Sequence, residues 1–171
     1  MVDDEKWPHL TPVERVEAVV ATLVDRRTAT ASSPIGLSPG EIQAIDNDQS
    51  APIGAAYRRF LELVGGGVGS FLQGSDVFDP LILGLGRAAD DLLVENDVPF
   101  TLSPTDRVIF MHQGYSFDFL RGTGADPEVW SYSETYHPDL NPFHNAPTFT
   151  DWFRTLAEQH RAHIEARRLR T

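Results

Sequence analysis

Apolar residues recur at helical spacing in three places before position 70. Val16, Val19, Val20, Leu23 and Val24 share one face of a helix that starts with a capping residue (Thr11), a first-turn proline (Pro12) and a capping-box acid (Glu14). Ser38-Pro39-Gly40-Glu41 repeats that chemistry ahead of Ile42 and Ile45 and predicts a second, shorter helix. Tyr57, Phe60, Leu61 and Val64 define a third, ended by Gly65-Gly66-Gly67, residues that tolerate positive φ. Residues 28–34, rich in Thr, Ala and Ser, read as a linker, so 1–34 is expected to be a helical extension attached to a core of 35–160.

Beyond position 70 the period changes. Residues 70–72 and 81–83 are brief strand candidates, while 87–95 returns to helical spacing through Ala88, Ala89, Leu92 and Leu93. Residues 107–112 and 115–120 are β-rich runs around Gln113-Gly114, a tight hairpin whose glycine supplies positive φ. Residues 128–133 form the next strand, with Val129 and Ser131 on one face and Trp130 and Tyr132 on the other. A loop carrying Pro138, Pro142 and Pro147 leads to a last helix that starts near Thr148, with Asp151 as its capping partner. That helix presents Phe149, Trp152, Phe153, Leu156 and Ile164 to the core. Helices, an antiparallel meander and a closing helix give an α+β order: one domain with a small, mostly antiparallel sheet flanked by helices, and 161–171 as a basic helix end or tail.

Composition narrows what such a domain does. The chain has 171 residues, 41% of them apolar, which suffices for a core without staples. With no cysteine there are no disulfides, thiolate metal sites or thiol nucleophiles, and a reducing, cytoplasmic setting is expected. The acidic opening Met1-Val2-Asp3-Asp4-Glu5 is unlike a basic secretory leader, and no apolar run reaches the roughly twenty residues that span a bilayer, so neither export nor a membrane partner is expected. The formal charge is −11, unevenly spread. From Arg154 onward, Arg154, Arg161, Arg167, Arg168 and Arg170 face only Glu158 and Glu165, which leaves 9 basic and 23 acidic residues, or −14, in the body. Such a body repels nucleic acid. It reads either as solubility or as a field that steers basic partners.

Several strings suggest chemistry, and context decides among them. Gly84-Leu85-Gly86-Arg87-Ala88-Ala89 has the spacing of a dinucleotide fingerprint, yet a hairpin follows instead of a second crossover, and the nearby acid Asp106 precedes its strand. A turn that needs small residues is the simpler reading. His112, Glu134, His137, Asp139 and His144 supply metal-type donors without a geometry-defining motif, because Pro138 prevents a helix there, so no metal or other cofactor is expected. Asp90 and Asp91 are adjacent on a helix and point apart, no nucleophile elbow is present, and no catalytic residue is assigned. Asp76, Asp79, Asp90, Asp91, Glu95, Asp97 and Asp106 form the densest acidic stretch, and Trp130, Tyr132, Tyr136 and Phe143 an aromatic one. Burial is expected for Trp130; Tyr136 and Phe143, in the proline-containing loop, are open to a recognition role.

Four segments in order resemble one family. Tyr57-Arg58-Arg59-Phe60-Leu61 followed by Gly65-Gly66-Gly67 resembles the "Y-x-x-F-L" and "N-G-G" signature of the SUKH superfamily, which includes the fungal cell-wall assembly regulators of the Smi/Knr-like type. Val108-Ile109-Phe110-Met111-His112-Gln113-Gly114-Tyr115-Ser116-Phe117 resembles its central hairpin. Asp126-Pro127-Glu128-Val129-Trp130-Ser131-Tyr132-Ser133-Glu134 is similar to its "D-P-x-V-W-x-Y-x-E" strand, and Phe149-Thr150-Asp151-Trp152-Phe153 to its closing helix. The likeness runs from about Leu37 to Gln159; Gly65 stands where the family often has Asn. It implies an α+β fold and, as in most bacterial members, neutralisation of a protein toxin by direct binding, without catalysis. The expected partner is a cognate toxin with a basic face, such as a nuclease, met through Asp76, Asp79, Asp90, Asp91, Glu95, Asp97, Tyr136 and Phe143 by a monomer or weak homodimer. A regulatory or scaffold module for an endogenous cytoplasmic protein is the alternative. A small hydrolase using His112, Glu134 and His137 is the remote one.

Overall fold

The computed structural model describes residues 4–24, 34–135 and 141–169. A 3-10 turn, Trp7–His9, leads into α1 (Pro12–Leu23), α2 (Pro39–Asp48) and α3 (Ala55–Val64). The two-residue strand β1 (Ser75–Asp76) precedes α4 (Leu85–Glu95). Then β2 (Asp106–His112), β3 (Ser116–Arg121), β4 (Glu128–Ser133) and β5 (Phe143–Ala146) run to α5 (Phe149–Arg168). The strands make one open sheet in the order β1-β2-β3-β4-β5, every neighbouring pair antiparallel. The chain thus has the α+β class expected of it, a small antiparallel sheet flanked by helices.

Local chemistry accounts for the boundaries. Both capping boxes form: the Thr11 and Ser38 hydroxyls accept from the Glu14 and Glu41 amides, and those carboxylates accept from the Thr11 and Ser38 amides at 2.8 and 2.7 Å. At the end of α3 only Gly67 has positive φ, at +112°. Gly65 and Gly66 serve another purpose, because residues 35–37 run against this end of the helix. A Cβ on Gly66 would stand 2.6 Å from Ile35 Cγ2, and one on Gly65 2.8 Å from Leu37 Cγ. In the β2–β3 hairpin Gln113 and Gly114 both take positive φ, the backbone that a tight turn between twisted strands requires.

The sheet is covered on both faces. Trp152 on α5 donates its indole N–H to Asp118 on β3 at 2.8 Å and meets the Phe110 ring edge-on, which fixes α5 over the side carrying Phe110, Asp118 and Ser131. By the pleat, Phe117, Phe119, Trp130 and Tyr132 face the other way, and Phe100, just past α4, packs there on Phe119. α1, α3 and α5 pack on one another. Val16 and Val19 are wholly buried, so α1, expected as an attached extension, lies within the core. Trp7 anchors it: the buried ring sits between the Arg15 and Arg154 guanidinium groups and donates to Asp151 of α5 at 2.9 Å. Residues 28–33 of the expected linker lie outside the described residues.

A buried guanidinium ties α2 to the sheet. Arg107, 1% exposed, donates to the carbonyls of Ile45, Asp46, Gln49 and Ala51, several of the acceptors that the end of α2 leaves open. Burial lowers the pKa of Arg107 from its ordinary range, partly offset by the nearby Tyr57 and Asp46. Gln49 completes the junction, its side-chain amide donating to the Val108 carbonyl at 2.9 Å and accepting from the Val108 amide at 2.8 Å. It thereby stands in for a neighbouring strand where β1, paired only at Met111 and His112, does not reach.

Four expectations need correction. Residues 70–72 and 81–83 are turns, not strands; of Leu81, Ile82 and Leu83 only Ile82 enters the core. The proline-containing loop yields a strand, β5, because Phe143, His144 and Ala146 find backbone partners on β4. Ile164 is half-buried at a surface groove, since the last fully buried residue of α5 is Ala157. Among the described residues no helix is long and apolar enough to cross a membrane.

Candidate interaction surface

α4 presents the clearest candidate. Leu85, Ala89, Leu92 and Leu93 bury one side of it, which leaves Arg87, Asp90, Asp91, Val94 and Glu95 exposed on the other. Asp97 follows at once, exposed and with φ of +53°, a left-handed conformation that aspartate tolerates better than most residues. Four of the acids singled out in the sequence therefore share one helix and its exit. Asp76 and Asp79 do not: they are half-buried on the segment before α4, where Asp76 pairs with Met111 across β1 and β2 and the Asp79 amide donates to the Gly65 carbonyl.

Asp106, counted with the acidic stretch, is no surface residue. It is 7% exposed, accepts from the Ser103 amide at 2.9 Å and pairs with Arg121 at 3.4 Å. Asp48, outside that stretch, matters more here. Its carboxylate accepts from the Gly84 amide at 3.0 Å and so caps the start of α4, where Gly84 is left-handed with φ of +84° and offers no side chain of its own. The glycine string is thus a helix start, and Gly86 packs against the Gln49 side chain. An open cleft of about 380 Å³ lies between, lined by Asp48, Arg87, Asp90, Ser103 and Asp106 among others. Partial burial, and then the adjacent Asp91 charge, hold the Asp90 carboxyl above the usual carboxylate range.

Three exposed apolar residues border this region. Leu81 and Leu83, 60% and 42% exposed, lie in the turns before α4, and Val94, 76% exposed, interrupts its acidic stripe. Sequence reading missed them, because the apolar letters of 81–83 suggested a strand and the period of α4 alone does not fix how far its buried face extends. Exposed acids and exposed apolar side chains on one region suit a protein face that offers cations together with apolar contact area.

The other candidates are dispersed. Trp130 is half-buried under Arg121, whose guanidinium carbon lies 4.1 Å from its ring centroid, and Tyr132 is buried. Phe143 is half-buried on β5, and Tyr136 lies outside the described residues. Of the metal-type donors, His112 is hydrogen-bonded to Ser75 at 2.8 Å, Glu134 accepts from Asn96 at 2.9 Å, and His144 sits against Trp130. His112 on β2 and His144 on β5 are three strand spacings apart, about 14 Å across the sheet, and are offset along it as well. His137 and Asp139 fall outside the described residues, and among the rest no three His, Asp or Glu side chains are grouped as metal ligands. No family model matches the chain, and no curated protein matches it.

Proposed function

We propose that the protein is a cytoplasmic binding protein of the toxin-immunity type, which neutralises a toxin by covering a basic face with the outer surface of α4. One observation carries this reading: Asp90, Asp91 and Glu95 stand exposed along the outer side of α4 together with Val94, with Asp97 at its exit. Charge of one sign steers the encounter, and an exposed apolar side chain within it supplies contact area that water leaves on binding. The sequence resemblance to SUKH domains supplies the class of partner. The −14 body supplies the sign of the field. In such a complex ionic strength slows association more than it speeds dissociation.

Co-expression with a toxin encoded beside the protein's gene tests the reading. We expect restored growth and an equimolar complex that survives purification. Unrelieved toxicity, or a toxin that never co-purifies, would remove it.

A further inference from the structure

A second surface carries the opposite chemistry. Past Ala157 the helix α5 runs beyond the core, and its inner side faces the turns around residues 70–75 across an open groove of about 510 Å³. Leu156, His160 and Ile164 recur every fourth residue along the groove, and His163 and Arg167 make a parallel row beside them. Leu72 forms the opposite wall with φ of +53°, a backbone conformation unfavourable for a leucine and held by its surroundings. Two other arginines of α5 are engaged: Arg154 with Asp4 and Glu158, Arg161 with Glu165. Among the described residues Arg167 has no carboxylate partner, and no acid lines the groove. Desolvation, and then His163, lower the His160 pKa, so the standing positive charge of the groove is that of Arg167.

The complementary element is on the same molecule. A ligand for this groove needs an apolar residue for the Leu72, Leu156 and Ile164 side and carboxylates for the His163 and Arg167 side. The outer side of α4 has both, with the exposed Val94 one turn from Asp90 and Asp91. The groove row from Leu156 to Arg167 spans about 16 Å, and the roughly 6 Å from Asp91 to Glu95 at 1.5 Å per residue fits within it. We propose that the α5 groove receives the α4 stripe of a second copy of this chain, in a head-to-tail contact. The net charge of −11 on each copy opposes the approach only weakly, because the Debye length is about 8 Å at physiological ionic strength, whereas charges in contact escape that screening. Both this contact and the proposed toxin use α4, so they compete for it; the self-contact is testable on the chain alone and does not depend on the toxin reading.

Sedimentation equilibrium of the full chain, with circular dichroism to confirm folding, provides the test. The wild type is expected to associate weakly and reversibly at about 0.15 M salt, and raising salt to about 0.5 M to weaken association about tenfold. Arg167→Glu and Asp91→Lys should each lower self-affinity at least about tenfold. An equimolar mixture of the two variants should form a two-copy species and nothing larger, because only the α4 stripe of the Arg167→Glu chain and the groove of the Asp91→Lys chain remain competent. A wild type that stays monomeric at about 0.15 M salt, a mixture that stays monomeric, or association that neither substitution alters would each overturn the proposal.

Discussion

Arg107 and Asp118 show how single side chains set the frame on which the surfaces are displayed. Arg107 satisfies four backbone carbonyls around the end of α2, and no other side chain reproduces that fork. We expect Arg107→Leu to lower unfolding free energy by about 3 kcal/mol or more, read from urea midpoints, since it strands buried acceptors. Arg107→Lys should recover only part of that loss. Asp118 lies beneath α5, where burial raises its carboxyl above the ordinary range more than the bonds from Ser131 and Trp152 lower it. The folded state therefore holds the Asp118 proton more tightly than the unfolded chain. Its contribution to stability is greatest at low pH and is lost as pH rises through the folded-state value. Measured against Asp118→Asn, which does not titrate, the wild type should gain relative stability from pH 7 down to pH 4; a constant or shrinking difference would contradict this assignment. Neither role is legible in the sequence, where Arg107 and Asp118 are simply polar letters within strands, because burial there is decided by α2 and α5, far along the chain.

At the scale of elements, legibility followed the strength of local signals. α1, α2 and α5 begin where their caps predict, and the β2–β3 hairpin turns at Gln113-Gly114, because a capping box and a left-handed turn are fixed by a few adjacent residues. β1 and β5 were not legible. β1 has two residues, and β5 lies between Pro142 and Pro147 without an apolar period, so both exist only through their neighbours in the sheet. Residues 81–83 read as a strand in the sequence for the converse reason: three apolar letters promise burial, but only Ile82 finds room in the core. The place of α1 was also decided by tertiary contact, through Trp7 and its bond to Asp151. Trp7→Ala should therefore cost about 3 kcal/mol in denaturant unfolding, whereas a helix merely laid over the domain would lose far less.

For the whole molecule, the asymmetry of charge visible in the sequence becomes two separate surfaces: the acidic stripe of α4 and the basic groove of α5. The acids of α4 could be picked out beforehand, but their separation from Asp76, Asp79 and the buried Asp106 could not, nor could the exposure of Leu81, Leu83 and Val94. Because Asp91 and Glu95 are exposed and have no ion pair among the described residues, reversing them should alter folding stability by no more than about 0.5 kcal/mol. Function should respond very differently. The most direct measurement is growth rescue from the adjacent toxin by the chain carrying Asp90→Lys, Asp91→Lys and Glu95→Lys together, with its folding checked by thermal melting. Loss of protection by a folded triple variant is the expected result; undiminished protection would show that the α4 face is not where the partner is held.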